Sequence, residues 1–261
     1  MRYAVRVGRQ YLATQYANMA EYRSEIILWL FAMVLPFILM GPWMTAAATG
    51  RLAMTPEQMA RYFLAVFIVR QFTVVWVIWD FEFQIVEGRL SGQLLKPIDP
   101  VWNYVCMHLA EQMTRLPFWI VLVTVFLLCN PGARWTPGWS CLLAVPAIAL
   151  TFTLRFALQY TFAMLAFWME RAAAIEQLSF LPYMFLSGLV APLAVFPPGL
   201  RHLAEMTPFP YLVDFPAQLI IGGHVDAGRG FVTMGAWIVA LLLLNRLMWH
   251  RGLRQYSGMG A

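Results

Sequence analysis

Charge is what this sequence has least of. Charged residues occupy 12% of its 261 positions, against 61% hydrophobic, where a soluble domain carries about 25% charged residues. So few polar groups could not cover a water-facing surface. A lipid solvent removes that requirement, so the composition predicts an all-α membrane protein. Lysine is nearly missing: Lys96 is the only one, and it follows leucine. A phosphate-binding P-loop needs Gly-Lys followed by Ser or Thr, so that the ammonium reaches the terminal phosphates. That motif is excluded, and any ATP use is expected on a separate polypeptide. The three cysteines, Cys106, Cys129 and Cys141, have no metal-ligand spacing and read as small apolar side chains. His108, His202, His224 and His250 form no HExxH pair, and no GxSxG elbow is present. No catalytic or metal-ligating residue is therefore assigned. The net charge of +5 does not point to nucleic acid. The basic residues lie mostly between apolar runs, where lipid headgroups and topology account for them.

What is present is long apolar runs. A span needs about 20 mainly apolar residues to cross a hydrocarbon core of about 30 Å. Six runs qualify, at about 26–48, 60–82, 104–129, 139–169, 177–196 and 231–250. No apolar run precedes residue 26, so the first span is expected to be retained rather than cleaved. Residues 1–261 read as a single transmembrane domain: an interfacial helix at 1–24, a six-span bundle at 26–250, and a tail at 251–261. An inward N-terminus puts ten basic residues in cytoplasmic segments: Arg2, Arg6, Arg9, Arg23, Arg89, Lys96, Arg171, Arg246, Arg251 and Arg254. It puts five outside, Arg51, Arg61, Arg134, Arg201 and Arg229. The excess follows the positive-inside rule and predicts cytoplasmic N- and C-termini.

Three connecting segments carry information. In residues 1–24, Arg2, Arg6 and Arg9 share one helical face, and Tyr3, Val7 and Tyr11 another, the pattern of a helix lying in the membrane interface. After the second run comes EGRLSGQLLKPIDP, residues 87–100. Gly88 and Gly92 permit turns, and Pro97 and Pro100 block helix continuation. Between them Leu90, Leu94 and Leu95 form one apolar face that a solvated connector has no reason to expose. Before the last run, SGLVAPLAVFPPGL and TPFPY are followed by a stretch at 212–221 too short to cross. This predicts either a segment dipping partway into the outer leaflet or a surface loop with short helices.

Charges within the runs need partners, because an intramembrane cation costs at least about 2.5–3.5 kcal/mol on insertion scales. Glu111 and Arg115 lie one helical turn apart and predict a local ion pair. Arg70 and Arg155 have no in-helix partner. They either line a passage and meet an anionic substrate group, or bind backbone carbonyls at a helix contact. Asp80, Glu82 and Glu87 gather near the inner end of the second run, among Trp76, Trp79, Phe81 and Phe83.

In the order of these features, the chain resembles the permease subunits of ABC-2-type ABC transporters over essentially its whole length. The resemblance rests on the amphipathic start, six spans, the EGRLSGQLLKPIDP loop, and the SGLVAPLAVFPPGL and TPFPY segments. It implies an exporter subunit of the cytoplasmic (inner) membrane that pairs with a second permease, identical or homologous. It further implies two cytosolic ABC ATPase subunits, which carry ATP and Mg, and no cofactor in this chain. The coupling element maps to Glu87, Gly88, Leu90, Leu94, Leu95 and Pro97, and an outer cap to about 197–223. The alternative is a stand-alone channel or secondary transporter, in which Arg70, Arg115 and Arg155 serve the pathway.

Overall fold

The computed structural model describes residues 10, 12–14, 16–17, 34–50, 52, 54–134, 138–169, 171–223 and 225–256. Most of the expected interfacial helix at 1–24, the start of the first predicted span and the end of the C-terminal tail lie outside the described residues. Residues 10, 12–14 and 16–17 are helical. Among the described residues the fold contains helices and no strands.

Helix α1 (Leu35–Ala48) packs on α2 (Pro56–Thr73). Thr55 and Gln58 start α2 with a reciprocal capping box, and Pro56 supplies its first turn. After Thr73 the helix breaks, and α3 (Val77–Val86) continues the same run. The short α4 (Leu90–Leu94) follows, then the long α5 (Val101–Cys129), which begins immediately after Pro100. Next come α6 (Trp139–Ala163), extended by a 3-10 turn over Met164–Phe167, and α7 (Ala173–Leu186). Two short helices, α8 (Pro198–Glu205) and α9 (Asp214–Ile221), precede the last long helix, α10 (Ala227–Gln255).

Four stretches are long and apolar enough to cross a membrane: Pro56–Val86, Val101–Cys129, Trp139–Phe167 and Ala227–Gln255. They correspond to the second, third, fourth and sixth predicted spans. The other two runs differ from expectation in what is described. Of 26–48, only the helix from Leu35 is described. Of 177–196, α7 begins earlier and stops at Leu186. Its 14 residues reach about 21 Å, short of the core thickness of about 30 Å. The stop is physical. Gly188 takes φ +89°, and an added Cβ there would sit 2.5 Å from Tyr62 Oη and 2.7 Å from Asp214 Cβ.

The second span is the centre of the bundle: 67% of its most apolar window is buried, against 11% for α5. α9 is wedged between α2 and α6, and α10 lies along α6. In lipid, helices gain little from burying apolar surface against one another, so close approach and polar contacts hold them. Gly230 and Gly252 of α10 meet the rings of Phe215 and Phe167, which occupy the space a side chain would need. Asn245 donates to the Ala157 carbonyl (3.1 Å) and accepts from Thr161 (3.1 Å), joining α10 to α6. Tyr62 Oη lies 2.7 Å from the Gly188 carbonyl and 2.8 Å from Asp214 Oδ1. Thr151 donates to the Tyr211 carbonyl (3.0 Å), about 18 Å along α6 from its start. The segment before the last helix therefore reaches well below the end of α6.

Replacing Gly188 with Ala is expected to destabilise the protein by about 2 kcal/mol or more, from the left-handed backbone and the clash with Tyr62 and Asp214. Thermal unfolding in detergent checks this. Gly199→Ala, with open space around its Cβ position, is the control expected to lie within about 0.5 kcal/mol of the parent.

Candidate functional site

The break in the second span is where the fold departs most from what its residues suggest. Thr73, Val74 and Val75 are β-branched, which weakens helix slightly, but no Pro or Gly marks the place. Val74 turns to extended backbone at φ −69°, ψ 131°, and regular helix resumes at Val77. Within a bilayer, backbone groups freed by such a break must find partners inside the protein. Two side chains of α5 supply them. Gln112 Nε2 donates to the Phe72 carbonyl (2.8 Å), and the Trp76 N–H donates to His108 Nε2 (2.7 Å). His108 Nδ1 lies 2.7 Å from the Tyr104 carbonyl. Because Nε2 accepts, Nδ1 carries the ring proton and donates: His108 is a neutral imidazole with its tautomer set by both neighbours.

The broken backbone lines a cavity of about 320 Å³. Arg70, in the last turn of α2, enters it from one side and Arg155 of α6 from another. Glu176 and Tyr183 of α7 close it, with Trp79 and Phe180 at the rim. Trp79 and Phe180 are exposed, so the mouth opens on the outer face of the chain. Arg155 lies over the Tyr183 ring, 4.2 Å from its centroid. Glu176 accepts a hydrogen bond from Gln159. Arg70 Nη1, Arg155 Nε and Glu176 Oε2 are buried without a hydrogen-bond partner. The two arginines that the sequence left without partners thus share one cavity, although they sit on different helices. Glu111 and Arg115, by contrast, pair with each other one turn apart on α5.

A second hollow, of about 420 Å³, lies between α5, α6 and α10. Its charged pair is already satisfied: Arg246 Nη1 lies 2.8 Å from Asp99 Oδ2. The arginines at the break are not, and this makes the smaller cavity the candidate site. Among the described residues, no three His, Cys, Asp or Glu side chains are grouped as metal ligands.

The loop after the second span is anchored rather than loose. Leu90 is fully buried in the chain's own core, while Leu94 and Leu95 are 39% and 89% exposed. The apolar face expected of Leu90, Leu94 and Leu95 is therefore divided, and only its last two members are available to another molecule. Gln84 accepts from Gln93 (2.6 Å) and from Tyr104 (2.7 Å). Ser91 lies 3.2 Å from Tyr256 Oη. Glu87 pairs with Arg89 (2.6 Å). Gly88 takes φ +69°, and Pro97 lies in the turn leading into α5. One contact joins this region to the cavity. Glu82 of α3 accepts from the N–H of Ala173 (2.6 Å), the first residue of α7. A carboxylate at a helix N-terminus satisfies a free donor and complements the helix dipole. His108, Gln112, Glu82 and Glu176 were not singled out for these roles in the sequence, because each acts on backbone or side chains distant along the chain.

His108→Ala is expected to leave the Trp76 N–H unsatisfied in an apolar interior and to cost about 1–3 kcal/mol. His108→Gln, which keeps an acceptor, should lose less. Melting temperatures of the two variants in the same detergent check the order.

In comparison with known families, the model for ABC-2 family transporter proteins aligns with residues 54–260. No curated relative matches the chain. The matched region takes in all four membrane-length helices, the anchored loop and the cavity at the break, and this chain belongs to the ABC-2 family of transporter membrane proteins.

Proposed function

We propose that this multi-pass membrane protein is the transmembrane subunit of an ATP-driven exporter, and that a separate cytosolic ATPase docks on α4. The observation that carries this is Leu95, 89% exposed beside Leu94 at the C-terminal cap of a helix otherwise fastened to the bundle. A large apolar side chain held out on an anchored turn fits a partner's groove better than water. Leu90 roots α4 in the core. The Gln84–Gln93, Ser91–Tyr256 and Arg246–Asp99 contacts tie its surroundings to α3 and α10. Movement imposed at Leu94 and Leu95 passes to α3, and from Glu82 to the start of α7 and one wall of the cavity.

In the cycle that follows, ATP binding draws two ATPase subunits together and pushes on α4. α3 and α7 move against the break in the second span, and the passage opens outward. Hydrolysis resets it. ATP and Mg sit on the partner. α7 carries exposed Leu178, Leu181 and Phe185, a face suited to lipid or to a second permease across the passage. Six spans, with α1 belonging to the first and α7 a short fifth, keep both termini in the cytoplasm of the inner membrane. α8 and α9 form an outer, partly re-entrant cap. The depth reached by Tyr211 beside Thr151 supports that cap.

An ATPase activity carrying a P-loop polypeptide is expected to co-purify with the protein from native membranes in mild detergent. Replacing Leu94 and Leu95 together with Asp should reduce co-purification about ten-fold or more, by placing two charges in an apolar contact. Membrane insertion should be unchanged. Undiminished co-purification removes α4 as the docking element, and cysteine labelling of residue 95 from outside intact cells removes the topology. Transport by the purified protein in liposomes without nucleotide favours a stand-alone carrier instead.

A further inference from the structure

The cavity at the break holds more positive charge than the protein neutralises. Arg70 and Arg155 enter it, and among the described residues Glu176 is the only carboxylate on its wall. Neither arginine forms an ion pair within 4 Å among the described residues. Glu176 accepts from Gln159 and feels the charge of Arg155 without forming an ion pair within 4 Å. Arg155 rests on the face of Tyr183, which stabilises a cation without cancelling its charge. Arg70 Nη1 and Arg155 Nε are buried donors without acceptors. Two guanidinium groups and one carboxylate leave one positive charge, where an uncompensated cation is costly. A singly charged oxyanion brings the site to neutrality, whereas a dianion overshoots and meets Glu176. Beyond the charged groups the wall carries Thr73 and Gln177 and is otherwise apolar or aromatic, with Val74, Val75, Trp79 and Phe180, which suits a flat apolar body beside the anionic group.

We propose that this cavity binds an amphipathic organic monoanion, with its carboxylate, sulfonate or phosphodiester group between Arg70 and Arg155 and its apolar body against Trp79 and Phe180. The assignment deepens the reading of the cavity as part of a transport passage and rests on it. It makes the break a recognition element: the turn that interrupts the second span also opens the space in which the two arginines meet. The ligand group comes either from a water-borne organic acid or from the phosphodiester of a membrane lipid. The recognising chemistry is the same for both.

The test is equilibrium binding to the purified chain in dodecyl maltoside micelles, with no ATPase present. Dansylglycine is the anionic probe and its methyl ester the neutral control, both followed by energy transfer from tryptophan. The acid is expected to bind about ten-fold tighter than the ester or better, the scale of one charge-assisted contact. Arg70→Gln and Arg155→Gln should each remove most of that preference while holding the ester's affinity within about two-fold of the parent, which also reports an intact cavity. Arg70→Lys and Arg155→Lys should restore part of it. Titrating phosphatidylglycerol against diacylglycerol then separates the sources. Displacement of dansylglycine by the phospholipid alone assigns a lipid headgroup, and retention assigns a water-borne acid. Equal binding of acid and ester to the parent protein overturns the proposal, as does a preference that survives both glutamine variants. Such failure leaves the ATPase co-purification result standing, and loss of ATPase docking leaves the binding result standing.

Discussion

A hydrocarbon solvent offers no hydrogen bonds, and every backbone group placed in it has to be matched by the protein. Across most of this chain the helix does that by itself. Between Thr73 and Val77 it does not, and the debt falls on α5, whose Gln112 and His108 reach the Phe72 carbonyl and the Trp76 N–H. The rest of the site depends on this repair. At the break Val74 turns to extended backbone, Arg70 falls in the last turn of α2, and Thr73, Val74 and Val75 line the cavity. α5 is otherwise peripheral, with few buried side chains. Its buried His108 and its Gln112 contact give it a role out of proportion to its packing.

The polar contacts between helices fall at distinct places along the bundle. Tyr62, Gly188 and Asp214 fasten the end of α7 and the start of α9 to α2. His108 and Gln112 hold the break. Glu82, Gln84, Ser91 and Asp99 tie the far end to α4, α7 and α10. Apolar packing alone discriminates weakly between helix arrangements in lipid, because the tails are as apolar as leucine. Directional bonds at several positions fix register and rotation. They also leave α7 short, held at its start by Glu82 and at its end by the Gly188 turn. It links α3, through Glu82, to the cavity wall at Glu176, Phe180 and Tyr183.

Much of the fold was legible in the sequence because hydropathy in a membrane protein is a local property. Run length located the four membrane-length helices to within a few residues. Gly88 and Pro97 bounded α4, whereas Gly92, read as a turn, lies within it, and the i,i+4 spacing of Glu111 and Arg115 anticipated their pairing. The fifth run was misjudged in extent because its apolar composition continues through 196. The stop at Leu186 comes from Tyr62 and Asp214 closing on Gly188, and neither is near it in sequence. The leucine face was legible as apolar but not as divided, since only packing shows Leu90 inward and Leu95 outward.

The sequence by itself determined the solvent, the class and the lack of a P-loop in this chain. Composition excludes a water-facing surface, and a single lysine after leucine excludes a P-loop. Tertiary structure alone decided that Arg70 and Arg155 occupy one cavity, that Glu176 stands there with them, and that the second span is broken where no proline or glycine announces it. The reason is one of range. Hydropathy and motif act within a few turns of helix, whereas the break exists only because side chains of another helix replace the hydrogen bonds it gives up.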